Sequence, residues 1–269
     1  MNPHMNVSIL IPAYNEQATI LKVLRKLVQL EIPLHEVLVV DDGSTDGTAE
    51  KVQSWLDVSH GSNQPAIRLL RQPSNMGKTA AIARAIQEAT GDILIIQDAD
   101  LEYDPIEIPG VIEPILIDVA DVVYGSRFLV KKASRVLYFY HYVANKFLTL
   151  LSNLLTNRNM SDIETCYKAF RREVIQPLNL TSRGFGMEVE ITAMICKTKA
   201  RTYEVPISYY GRTYDEGKKI GLKDGIAAIW YILYYNLIVP LTAPGQNYIK
   251  TVNAFLDHNK HSRTSEDHA

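Results

Sequence analysis

Cysteine is scarce: the chain has two in 269 residues, Cys166 and Cys196. They form no metal-ligand spacing, and no disulfide can be argued from them, so reduced thiols are the default. No stretch offers ~20 continuous apolar residues, so no clean transmembrane helix is expected. An excess of charge of either sign is also missing. The formal net charge is −2 with 22% charged residues, and nothing global points to nucleic acid, which favours a basic face and a high pI. A signal peptide is not expected either, because the polar stretch Met1 to Asn6 runs straight into an apolar strand. What remains is 46% hydrophobic, ordinary for a soluble globular enzyme of one large domain or two small ones.

The chain is organised around Ile93-Leu94-Ile95-Ile96, which runs into Gln97-Asp98-Ala99-Asp100-Leu101-Glu102. Four branched residues in a row read as a strand buried on both faces of a parallel sheet. Ligands of open α/β sheets bind at the carboxyl ends of strands. Carboxylates gathered there suit Mg²⁺ or Mn²⁺, which typically take one or two carboxylates plus substrate phosphates. Read without that ligand, the same residues are a solvated turn with acidic caps.

Other strands end in the same way. Val7 to Ile11 leads to Pro12-Ala13-Tyr14-Asn15-Glu16, and Glu36 to Val40 leads to Asp41-Asp42-Gly43-Ser44-Thr45-Asp46. Ile67 to Leu70 precedes Asn75-Met76-Gly77-Lys78. Helical periodicity between them, as at Ile20, Leu21, Leu24, Leu27 and Val28, makes βαβ units with right-handed crossovers. All four polar turns should therefore gather on one sheet edge.

The second half changes character. Ala120 to Tyr124 is a strand leading to Gly125-Ser126-Arg127, and no acidic residue occurs from Arg127 to Ser161. Val136 to Leu155 reads as a helix with a narrow polar stripe at His141, Asn145, Thr149 and Asn153. A wide apolar face with basic flanks describes a helix lying in a membrane interface, and equally a core helix or a subunit contact. Ile226 to Leu241 is a second apolar run, ~24 Å long as a helix and short of the ~30 Å hydrocarbon core. From about Asp257 the chain is polar, and disorder is expected there.

These motifs, with Glu204-Val205-Pro206-Ile207, stand in the order found in family 2 glycosyltransferases of the GT-A fold. The chain resembles that family over roughly residues 7 to 225, in particular its polyprenyl-phosphate sugar transferases of the dolichyl-phosphate mannose synthase type. The resemblance implies an α/β fold: a Rossmann-like, mostly parallel sheet flanked by helices in residues 1–225. An apolar helical segment (226–256) and a disordered tail (257–269) would follow. It implies that Pro12, Ala13, Tyr14, Glu16, Val40 and Asp42 hold the base and ribose of a nucleotide-sugar. Lys78, Asp98 and Ala99 would line the same site, and Arg212, Lys218 and Lys219 would close over the diphosphate. Asp100, helped by Glu102, would carry the Mg²⁺ or Mn²⁺ that assists the leaving diphosphate. Arg127 and Arg135 would meet an acceptor phosphate, and His141, one turn from Asn145, is a candidate to line the same site or simply part of the polar stripe.

The implied reaction is inverting transfer of a hexose from a UDP- or GDP-sugar to a polyprenyl phosphate at the cytoplasmic membrane face, by a peripherally bound protein. Asp98, Asp100, Arg127 and Asp162 would be its catalytic residues. This chain departs from the family in carrying Cys166 where glycine is usual, in adding Glu164, and in carrying Glu102 where relatives often have Gln. Two other readings stay open. A hydroxyl acceptor would need a general base, for which Asp162 or Glu164 is the candidate. A membrane-bound scaffold without turnover would need none of this charge. An apolar helix also serves a second copy, or a membrane-protein partner, as well as it serves lipid.

Overall fold

The computed structural model describes residues 5–58, 65–129, 138–211 and 222–266. Its first half alternates strictly: β1 (Val7–Ala13), α1 (Ile20–Leu27), β2 (Leu34–Asp41), α2 (Thr48–Val58), β3 (Ala66–Arg71), α3 (Lys78–Glu88), β4 (Ile93–Ile96) and α4 (Ile108–Leu116). The second half follows with β5 (Val122–Ser126), α5 (Phe139–Thr156), β6 (Lys168–Arg171), α6 (Arg172–Ile175), α7 (Met187–Ile195), β7 (Thr202–Pro206), α8 (Leu222–Leu233) and α9 (Ala243–Glu266). The strands form one seven-stranded sheet in the order β3-β2-β1-β4-β6-β5-β7. Every neighbouring pair is parallel except those of β6, which runs antiparallel to β4 and β5.

Alternation along the strands sorts the core into two layers. Leu10, Leu94 and Ile96 face α3, α7, α8 and α9, while Ile9, Ile11, Ile93 and Ile95 face α1 and α4. Every residue of β4 is buried, as its four branched side chains require. Each contributes roughly 1.5–3 kcal/mol relative to exposure, which leaves the polar residues beyond Ile96 no room inside the sheet. They must emerge at its carboxyl edge.

The opposite edge is tied by charge. Asp121, 1% exposed, accepts from Arg171 Nε at 3.2 Å and from the Arg201 backbone N–H and side chain at 2.8–3.0 Å. Burial opposes the Asp121 charge, but the two guanidiniums outweigh it and hold the carboxyl below its usual range. This cluster joins the starts of β5 and β7 to the end of β6.

Two elements differ from the sequence expectation. Ile226 to Leu241 is not one helix: α8 passes through a π-helical turn, Tyr234–Ile238, and a 3₁₀ turn, Val239–Leu241. Pro240 and Pro244 interrupt the helical hydrogen bonds, and the Thr242 hydroxyl accepts from Gly245 N–H to start α9. A Cβ on Gly245 would lie 2.1 Å from the Val239 carbonyl oxygen, so only glycine permits this bend. The second difference is α9, which continues to Glu266, into the stretch whose polarity predicts disorder.

Candidate active site

The four polar turns do meet at one edge, and hydrogen bonds knit them together. The β1–α1 and β2–α2 loops interlock through Asn15 N–H to Ser44 Oγ, Thr45 N–H to Asn15 Oδ1 and Glu16 N–H to Thr48 Oγ1, each 2.9 Å. Asn15 takes a left-handed conformation there, φ +55°, which asparagine tolerates well. Tyr14 is exposed and Ala13 buried. Pro12 pairs with Val40 across the ladder, and Val40 is wholly buried, so its side chain belongs to the core.

Asp42 is 3% exposed, and its carboxylate accepts from Gln72 Nε2, Met76 N–H and Gly77 N–H, each 2.8 Å. Three of the protein's own donors thus hold this carboxylate in place. Gly43 beside it (φ +72°) must be glycine, because a Cβ would sit 2.6 Å from the Ser74 carbonyl carbon. Asp42 thereby fixes the turn that delivers Lys78.

Lys78 Nζ lies 2.9 Å from Asp98 Oδ1, 2.9 Å from Cys166 Sγ and 3.4 Å from Glu188 Oε1. Burial disfavours the ammonium, but Asp98, Cys166 and Glu188 outweigh it, and Lys78 titrates well above an ordinary lysine. Asp98 is held below its usual range by Lys78 against the effect of burial. Three residues beyond Asp98, Leu101 adopts φ +64°. A branched side chain rarely accepts that backbone, and such strain concentrates at functional sites. Here it lets the Glu102 N–H donate to Asp100 Oδ1 at 3.0 Å, so that both carboxyls come from one tight loop. Glu102 Oε2 also accepts from Tyr209 Oη at 2.7 Å.

Arg127, 14% exposed at the side chain, grips the fully buried Asp162 through Nε and Nη2, both at 2.7 Å. Burial raises the Asp162 carboxyl, yet the guanidinium prevails and keeps it below its ordinary value. A sealed, ion-paired carboxylate is a poor proton acceptor and a good anchor, so Asp162 positions Arg127. Glu204 holds the anchor in turn, accepting from the N–H groups of Ser161 and Asp162. On α5, Asn145, one turn from His141, reaches Arg127, with Oδ1 3.4 Å from Nη2. The Asn145 amide donates to the His141 carbonyl. Arg135, Arg212, Lys218 and Lys219 lie outside the described residues.

The sequence places Glu188 and Glu190 together at a helix start, as structural acids near the site, and does not single out Tyr209. The structure separates the two acids, since Glu188 at the start of α7 is the one that reaches Lys78. Tyr209, whose ring lies 5.3 Å from the Arg127 guanidinium carbon, has a clearer signal in standing two residues past the Glu204–Ile207 motif.

Among the described residues, no three His, Cys, Asp or Glu side chains form a metal cage on their own. Asp100 and Glu102 nevertheless offer hard oxygen donors one loop residue apart. That fits a cation whose remaining ligands come from a diphosphate and water.

The family model for glycosyl transferase family 2 matches residues 8–178, from β1 to just past α6. The chain belongs to family 2. A dolichol-phosphate mannosyltransferase of Pyrococcus furiosus is 30% identical over 220 residues, 81% of this chain. The chain spans only 60% of that relative's length. An undecaprenyl-phosphate mannosyltransferase of Micrococcus luteus is 29% identical over 81% of this chain and 88% of its own. Glucosyl-3-phosphoglycerate synthase from Mycobacterium tuberculosis, solved with Mn²⁺, UDP and glucosyl-3-phosphoglycerate, superposes with a TM-score of 0.66 at 21% identity, covering 87% and 80% of the two chains. The same synthase with Mg²⁺ and UDP gives 0.65 at 20% identity, with the same coverage. This family-2 chain thus has the GT-A architecture expected of it.

Proposed function

We propose that the protein transfers a hexose from a nucleoside-diphosphate sugar to a polyprenyl phosphate, with Mg²⁺ or Mn²⁺. The observation that carries this reading is the juxtaposition, on one sheet edge, of the strained Asp100–Glu102 loop, the Asp98–Lys78 pair and the Arg127–Asp162 pair. The β1 and β2 loops, with Tyr14 at their surface, receive the nucleotide. Asp100 and Glu102 would hold the metal, which as a Lewis acid offsets the charge on the departing diphosphate. Lys78 keeps Asp98 ionised and fixed beside the sugar. Arg127, aimed by Asp162 and Asn145, receives the acceptor phosphate. That phosphate is already anionic and needs no general base to attack the anomeric carbon in line, with inversion.

A lipid acceptor requires a lipid-facing surface, and two helical stripes supply it. Tyr140, Val143, Phe147, Leu150 and Leu154 on α5 are exposed, as are Ile226, Trp230, Leu233, Leu237 and Leu241 from α8 onward. Their spacing of three and four residues places each set on one face, and α5 packs against α8. α5 contains no acidic residue. No single helix among the described residues is long and apolar enough to cross a membrane, though the bent pair Gly225–Leu241 and Ala243–Lys260 passes by length and composition together. The reading is therefore a peripheral contact through these two stripes. The named activities of the Pyrococcus and Micrococcus relatives support the same acceptor class.

Thermal shift with UDP, GDP and CMP, each with and without Mn²⁺, tests the donor half. A metal-dependent shift with one nucleotide, lost in Asp100→Ala while the unliganded melting temperature holds, is the expected result. Full transfer activity in Asp100→Ala overturns the reading.

A further inference from the structure

The segment beyond β7 is fastened to the β4–α4 connection by three consecutive residues. Ser208 N–H and Oγ donate to the Glu107 carboxylate at 2.6 and 2.8 Å. Tyr210 N–H donates to the Glu102 carbonyl at 2.9 Å. Between them, Tyr209 Oη donates to Glu102 Oε2 at 2.7 Å, and its ring packs on Tyr103, centroids 5.2 Å apart. Ser208 and Tyr210 anchor the segment. Of the three, only Tyr209 reaches a carboxyl assigned to the metal.

The same ring meets the other half of the site. Asp162 and Asn145 hold the edge of the Arg127 guanidinium through Nε and Nη2. The guanidinium carbon also lies 5.3 Å from the Tyr209 centroid and 5.7 Å from that of Phe128, within cation–π reach. Packing alone asks only for the ring: phenylalanine fills the same half-buried space without placing a hydroxyl on Glu102. A carboxylate has two oxygens, so Tyr209 can hold one while a cation takes the other. Outer hydrogen bonds of this kind orient metal ligands, and losing one typically costs roughly 10–100-fold in metal affinity.

We propose that Tyr209 is a positioning residue that ties the metal loop to the acceptor arginine. Its hydroxyl sets Glu102 for the cation, and its ring holds the Arg127 guanidinium for the acceptor phosphate. In-line transfer needs the leaving diphosphate and the attacking phosphate at a fixed separation, and one side chain spanning both partners supplies it. The proposal rests on the metal and acceptor roles given above.

Two variants separate hydroxyl from ring. The Mn²⁺ concentration at half-maximal thermal shift, in saturating UDP and in saturating GDP, reads the hydroxyl. Calorimetry with citronellyl phosphate, a water-soluble prenyl phosphate, in the same mixtures reads the ring. Tyr209→Phe should raise the Mn²⁺ midpoint about tenfold and leave prenyl-phosphate affinity within about twofold. Tyr209→Leu should raise the midpoint equally and weaken prenyl phosphate at least about threefold, the scale of a partly buried cation–π contact. In a Glu102→Ala background, Tyr209→Phe should add less than about twofold, because the hydroxyl has lost its carboxylate; a merely structural role would add in full. An unchanged midpoint in Tyr209→Phe, or a rise that persists in full without Glu102, overturns the proposal. So does prenyl-phosphate affinity that Tyr209→Leu leaves unchanged. Tyr209→Leu lacks the hydroxyl as well, so it decides both halves should Tyr209→Phe fail to fold. Wild-type protein that shows no Mn²⁺-dependent shift with either nucleotide, or binds no prenyl phosphate, overturns the proposed function and the role of Tyr209 with it. A wild type that passes both confines any failure to Tyr209.

Discussion

Glu164 carries an unusual proton for a carboxyl group. Burial and then the charge of Glu188 push it up to about 8, with Asp162 adding to the effect and Lys168 and Arg127 opposing it. The unfolded chain releases that proton near 4.5, so the folded state binds one proton more between the two values. Its contribution to stability is complete below about pH 4.5 and is lost as pH rises towards 8. Asp98, Asp162 and Asp121 have the opposite sign: their depressed values contribute above 3.8 and are lost as pH falls. The two windows are separate, which makes the Glu164 effect readable. Melting temperature should decline from pH 5 to 8 in the wild type, and Glu164→Gln should flatten that slope without altering the acid limb. A slope unchanged in Glu164→Gln would mean that another group holds the proton. At this scale the sequence was a partial guide. Asp98, Asp100 and Glu102 are legible because acids cannot follow four buried branched residues without emerging at an edge. Glu188 and Glu190 are indistinguishable on paper, and only the donors each one meets separate them.

Among the elements, β1 to β4 were legible because each is an apolar run closed by turn-forming residues, and their boundaries fall within two residues of those expected. β6 was not, since Lys168 lies inside it, wholly buried, with its ammonium turned back onto the Ile163 and Thr165 carbonyls. A lysine in a short strand gives no hydrophobic pattern to read. The strand's antiparallel direction matters, because it carries the Asp162–Cys166 loop to the carboxyl edge. At the far edge, Asp121 ties β5, β6 and β7, and removing it leaves Arg171 and Arg201, with side chains 11% and 35% exposed, to Asp118, itself 38% exposed. Breaking a buried ion pair from one side costs about 3–5 kcal/mol, and the partial exposure of Arg201 places this case at the lower end. Asp121→Ala should lose about 3 kcal/mol in urea unfolding, while nucleotide affinity, read at the opposite edge, stays within twofold. A loss below about 1 kcal/mol would show that the cluster is solvated rather than structural.

For the molecule as a whole, the question is what covers the apolar stripes of α5 and α8. The two stripes adjoin, and the Arg127–Asn145 contact ties α5 to the site, so an acceptor lipid held at Arg127 would lie alongside them. Trp230 sits in the α8 stripe at 63% exposure, and the chain's other tryptophan, Trp55, is on α2. In a Trp55→Phe background, Trp230 emission should therefore shift to the blue when anionic vesicles are added, and the protein should float with them. Leu150 and Leu154, 57% and 71% exposed, each contribute roughly 1.5–3 kcal/mol if they enter the lipid interface. Replacing both with glutamate should weaken vesicle partition at least about a hundredfold by that arithmetic, with repulsion from anionic lipid adding to the loss. The nucleotide thermal shift should be unchanged, because both side chains already face solvent. A different pattern would identify a different occupant. If the wild type sediments as a dimer that the two glutamates dissociate, and vesicles move neither Trp230 nor the protein, the stripes join two copies of this chain and the lipid acceptor falls with them.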